Sequence, residues 1–111
     1  KLAKERDEAT VARMVHRLTK EPATVFGLDA GSLAIGARAD MVLINPKALD
    51  NWEPDQTRVL EHRDIFDHKQ MVNRPKGIVA SVFIKGVLAW ANGEAQEALG
   101  RDTLGQALRA A

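Results

Sequence analysis

Between Gly31 and Pro46 the chain reads Gly-Ser-Leu-Ala-Ile-Gly-Ala-Arg-Ala-Asp-Met-Val-Leu-Ile-Asn-Pro. Two glycines five residues apart bracket Leu33 and Ile35, which predicts a short strand entering a tight turn with positive φ. Met41-Val42-Leu43-Ile44 then runs without a polar residue until Asn45-Pro46 stops it. An apolar run this short also fits a scrap of core helix by periodicity; its length and the flanking glycine and proline decide for a strand buried on both faces. Asp40 stands where turn meets strand. A short carboxylate at that joint accepts hydrogen bonds from nearby backbone N–H groups, so Asp40 reads as a structural clasp ahead of a catalytic acid.

The strongest strand signal lies between Gly77 and Gly93. Ile78, Ala80, Val82 and Ile84 alternate with Val79, Ser81 and Phe83, leaving both faces mostly apolar. Lys85-Gly86 interrupts the run, Val87-Leu88-Ala89-Trp90-Ala91 resumes it, and Asn92-Gly93 ends it. Two β-rich runs around a two-residue break predict a hairpin. Lys85 is an awkward turn residue, because lysine tolerates positive φ less well than asparagine or glycine.

Upstream, Val11, Met14, Val15 and Leu18 share one face at helical spacing, while Arg13, Arg17 and Lys20 populate the other side. A helix is expected from about Asp7 to Leu18. Thr19 then offers a cap and Pro22 a first-turn residue for a shorter helix that stops at Gly27. His16 sits near the polar side and reads as a solvated histidine, since a lone imidazole lacks partner ligands. From Lys47 to Lys76 the pattern weakens, and residues 47–76 are expected to form a long loop. Trp52 within it is a large apolar group that needs cover. His62, Asp64, Asp67 and His68 make the one local cluster that invites a metal argument, yet neither His-x-His nor His-Glu-x-x-His spacing is present. No paired carboxylates, activated nucleophile or phosphate-cradling loop stands out either, so no catalytic, cofactor-binding or metal-ligating residue is assigned to this chain.

Composition narrows the classes. At 111 residues and 45% hydrophobic content the chain can bury one modest core, far short of a barrel of about 250 residues. Sixteen Lys and Arg against fifteen Asp and Glu leave a formal charge of +1 without a basic block, which argues against a nucleic-acid partner. There is no cysteine, hence no disulfide or thiolate chemistry. No apolar stretch reaches the roughly 18 residues of a membrane span, so no membrane partner is expected, and the expected location is cytoplasmic.

The pattern Gly31-x-Leu33-x-x-Gly36-x-x-Ala39-Asp40-Met41-Val42-Leu43 resembles the segment that follows the barrel in metal-dependent amidohydrolases. Thr19, Pro22, Ala23, Gly27 and Leu28 are similar to the element preceding it, and Gly77, Ile78, Val82, Ile84 and Gly86 to the family's closing strand and turn. Leu99-Gly100-Arg101, Gly105 and Leu108-Arg109 resemble the tail of the D-aminoacylase (N-acyl-D-amino-acid deacylase) branch. The likeness runs through residues 10 to 109.

That resemblance implies an α+β, mainly β fold. Residues 1–28 would correspond to the last helix pair of a TIM-type barrel, and residues 29–111 to the C-terminal part of a composite β-sandwich. It implies a parent enzyme hydrolysing C–N bonds of N-acyl-D-amino acids with zinc or another divalent metal. The metal's ligands are expected at barrel-strand ends upstream of Lys1, leaving this chain a non-catalytic part with no cofactor of its own. Its partner would be the remainder of the barrel, and exposed strand edges add the prospect of self-association. The alternative is a free-standing β-rich interaction module without enzymatic activity. In a further option the stretch Arg58 to His68 lies over the neighbouring barrel as a lid.

Overall fold

The computed structural model describes residues 7–110; the charged start of the chain, residues 1–6, lies outside the described residues. Helix α1 spans Glu8–Leu18, one residue from its expected start, and Asp7 caps it by accepting the Thr10 N–H at 2.7 Å. That backbone hydrogen bond holds the Asp7 carboxyl below its ordinary pKa. Helix α2 covers Lys20–Val25 and packs on α1. Thr19 precedes α2 but does not cap it: its hydroxyl turns back to donate to the Val15 carbonyl at 2.8 Å, the competing bond open to any threonine at a helix end. Gly27, at φ 64°, ends the pair as expected.

No strand forms at Leu33 and Ile35. Gly31 (φ 72°) and Gly36 (φ 87°) turn the chain twice within six residues, and Leu33 and Ile35 project from a loop. Gly31 is also a point of close approach. A Cβ there would lie 2.6 Å from the Thr19 carbonyl carbon, so glycine is what lets the loop rest on the α1–α2 junction.

The main sheet is antiparallel, with β1 (Met41–Ile44), β4 (Val79–Ile84), β5 (Val87–Ala91) and β6 (Glu94–Ala95) side by side in that order. The β4–β5 hairpin turns on Lys85-Gly86, both at positive φ, and Asn92-Gly93 makes the same kind of turn into β6. After a turn bridging Leu99 and Asp102, the tail to residue 110 is irregular.

Two expectations fail here. The apolar run at β1 is not buried on both faces, because β1 is an edge strand; Val42, Leu43 and Ile44 keep about half their surface in solvent. Residues 47–76 are not a loop. They hold short helices α3 (Pro46–Asp50) and α4 (Pro54–Thr57), then a second hairpin of β2 (Arg58–Arg63) and β3 (His68–Asn73) joined through a 3-10 turn at Asp64–Phe66. Six consecutive pairs from Arg58–Asn73 to Arg63–His68 carry no register shift. Asp67, at φ 50°, closes the turn, a conformation that aspartate tolerates better than most residues.

The fold is thus α+β and mainly β, with two antiparallel sheets. Its core is small. Among the described residues only Ala23, Ile78 and Ala89 are buried apolar side chains, and Phe26, Leu60, Phe66 and Met71 each stay more than half exposed. The radius of gyration is 16.2 Å, against about 13 Å for a close-packed chain of this length. Among the described residues no helix is long and apolar enough to cross a membrane.

Candidate functional site

Two polar constellations lie outside the regular ladders. The first is the joint at Asp40. In a two-residue hairpin the N–H groups of the turn residues point away from the ladder and need acceptors elsewhere. Here Asp40 Oδ1 accepts the Lys85 N–H at 2.8 Å, and the Ala39 carbonyl accepts the Gly86 N–H, also at 2.8 Å. The Arg38 guanidinium grips the other carboxylate oxygen, through Nε at 2.6 Å and a terminal nitrogen at 2.5 Å. The Lys85 hydrogen bond is the main reason the Asp40 carboxyl sits below its ordinary pKa; partial burial opposes it and Arg38 assists. Asp40 is the clasp that its position at the turn suggested. Its donor is 45 residues away in sequence, and it supports the left-handed Lys85. Three of the carboxylate's acceptor sites are thus engaged in holding the joint.

The second constellation is the tip of the β2–β3 hairpin. His62 Nε2 lies 3.5 Å from an Asp64 oxygen and 3.7 Å from an Asp67 oxygen, with both aspartates almost fully exposed. His68 does not join them. Its Nδ1 meets the Phe66 carbonyl at 3.0 Å and its Nε2 meets the Gln70 amide nitrogen at 2.9 Å. One tautomer, protonated at Nδ1, satisfies both bonds. Asp64 and His68 do not pair, because a 3-10 turn and the left-handed Asp67 separate them at the hairpin tip. Among the described residues no three His, Cys, Asp or Glu side chains are grouped as metal ligands. One imidazole facing two fully solvated carboxylates, with the second imidazole already engaged, does not fit a zinc site, which needs a closed ligand set held by outer hydrogen bonds. The tip is a turn in which one imidazole lies near two solvated carboxylates.

Sequence reasoning missed a third cluster, at the base of the same hairpin. Trp52 Nε1–H donates to Thr57 Oγ1 at 2.7 Å, the Thr57 hydroxyl donates to Asn73 Oδ1 at 2.7 Å, and Asn73 Nδ2 donates to the Pro54 carbonyl at 3.0 Å. The helix-starting prolines at 46 and 54 and the tolerant Asp67 were the available signals. Without the β2–β3 pairing in hand, nothing placed Thr57 beside Asn73.

The amidohydrolase family matches residues 1–89, well over half of the sequence. The chain belongs to the amidohydrolase family. A protein of Mycobacterium tuberculosis named only as uncharacterized is 32% identical over 89 residues, covering 77% of this amidohydrolase chain and 14% of the relative. A protein named dihydroorotase from Anaeromyxobacter dehalogenans is 46% identical over 50 residues, 45% of this chain and 11% of its own length. A Geobacillus dihydroorotase is 30% identical over 94 residues, 76% of this chain and 19% of its own. The chain thus spans less than one fifth of the length of these relatives. No solved structure matches it.

Proposed function

We propose that this chain is the non-catalytic C-terminal part of an amidohydrolase that cleaves C–N bonds, with N-acyl-D-amino acids as substrates and a divalent metal, zinc in the first instance, held by residues outside the chain. Residues 1–28 end the barrel and residues 29–111 complete its β-sandwich. The observation that carries this reading is the mismatch between apolar content and burial. Nearly half of the sequence is hydrophobic, yet the described residues bury only Ala23, Ile78 and Ala89 as apolar core. Surface of that kind is covered in a working protein. The β1 edge and the cavity lined by the half-buried Val82, Ile84 and Trp90 are where the rest of the enzyme would lie.

A second reading concerns substrate alone. The relatives named dihydroorotase favour a cyclic amide over an acylated amino acid. Both readings are tested by comparing the 111-residue chain with the longer gene product that carries it. The chain alone should self-associate in light scattering, hold no zinc and hydrolyse nothing. The longer product should bind metal and cleave either N-acetyl-D-amino acids or dihydroorotate, which decides between the two. A monomeric, cooperatively folding chain without activity would favour an independent interaction module. Zinc binding with hydrolysis by the chain alone would overturn the proposal.

A further inference from the structure

The β2–β3 hairpin stands apart from the rest of the molecule. Neither strand packs against any strand of the main sheet beyond isolated touches. A lone two-stranded ribbon is marginally stable in water, yet this one keeps a regular ladder from end to end. Arg74 meets Glu61 of the ladder at 3.4 Å, and Arg58 meets Asp55 of α4 at 3.3 Å. No other helix or strand packs extensively against it. It is held at the base, where the Thr57 hydroxyl accepts from the Trp52 indole and donates to the Asn73 amide oxygen, and where Asn73 Nδ2 donates to the Pro54 carbonyl. Asn73 pairs with Arg58 as the last rung of the ladder, so the hydrogen-bonded chain ties the whole ribbon to the α3–α4 segment. The connectors on either side suit a hinge. Residues 53–57 hold a single helical turn, and residues 74–77 contain Pro75 and Gly77, the latter at φ 80° with open space around it.

We propose that the β2–β3 hairpin is a latched arm: it turns as one body about residues 53–57 and 74–77, and the Trp52–Thr57–Asn73 hydrogen bonds hold it in the position seen here. The arm carries Leu60 and Met71 on one face and Ile65 and Phe66 at the tip, all more than half exposed. The latch thereby sets where this apolar surface is presented. Thr57 is a positioning residue in this scheme, and it acts through Trp52 and Asn73.

The chain has no cysteine, so two introduced ones report a single distance. Spin labels on the Lys69→Cys, Glu94→Cys double variant of the full chain would measure the span from arm to main sheet by pulsed electron resonance. The latched arm should give one narrow distance distribution. Adding Thr57→Val should broaden or shift it, while Thr57→Ser, which keeps the hydroxyl, should restore it. Hydrogen exchange on the same variants separates swinging from unfolding: amides across 58–73 should keep their ladder protection within about threefold, and those of 79–91 should not change. An unaltered distance distribution in Thr57→Val would overturn the proposal. So would a broadened one accompanied by loss of ladder protection in 58–73, since the arm would then be melting and not turning.

Discussion

Replacing Asp40 with alanine should destabilise the chain by about 2 kcal/mol. The variant loses a charge-assisted bond to the Lys85 N–H at 2.8 Å and a two-point grip on Arg38. Hydrogen bonds to charged groups contribute about 1.5–3 kcal/mol each when well enclosed. The Asp40 side chain is 39% exposed, so solvent screening places the Lys85 bond near 1 kcal/mol. The Arg38 side chain is only 20% exposed and one of its terminal nitrogens is already buried without a partner. Stranding that guanidinium adds about another 1 kcal/mol. A second substitution, Arg38→Met, should therefore recover roughly half of the loss, because it removes the stranded cation while keeping the aliphatic stem. Urea unfolding followed by tryptophan emission measures the total, and hydrogen exchange at Lys85 measures the local part. The acid limb gives an independent check. Because the folded carboxyl lies below its ordinary pKa, the unfolded chain binds more protons as pH falls past about 4. The Asp40 contribution is present in full above that pH and lost as pH drops through the folded value. Asp40→Ala should flatten this limb, leaving the slope due to Asp7, whose carboxyl is lowered in the same sense. A loss below about 0.3 kcal/mol, within the range of ordinary surface changes, together with an unchanged acid limb would refute the clasp.

Two glycine substitutions should differ sharply. Gly31→Ala places a Cβ against the Thr19 backbone at positive φ and should cost about 3 kcal/mol or more, whereas Gly36→Ala has open space and should cost about 1 kcal/mol from φ alone; thermal unfolding of the pair checks the contrast. Lys85→Asn should stabilise the chain by about 0.5–1 kcal/mol, because asparagine accepts the φ of 52° with less strain. A lower unfolding midpoint for that variant would mean that the lysine side chain makes a compensating contact.

Much of the local structure was legible in the sequence. Apolar residues at helical spacing located α1 almost to the residue, and two β-rich runs around Lys85-Gly86 located the β4–β5 hairpin, because both signals come from short-range periodicity and turn chemistry. The part played by Asp40 was legible in kind, since a short carboxylate beside a turn finds backbone N–H groups, but its donor at Lys85 was not. The β2–β3 hairpin escaped notice because its strands mix charge with adjacent apolar residues, as in Val59-Leu60-Glu61-His62, and neither face alternates cleanly. Burial was the larger failure. A run such as Met41-Val42-Leu43-Ile44 records that apolar side chains need cover, and strand order alone decides whether this chain supplies it. By itself the sequence determined α1, α2, β1 and the β4–β5 hairpin, whose signals are local, but neither the β2–β3 hairpin nor the loop at Leu33 and Ile35. Only the tertiary structure decided that β1 would be an edge, that Asp40 would reach Lys85, and that Trp52, Thr57 and Asn73 would meet, because each depends on pairing between segments far apart in the chain, which local periodicity does not encode.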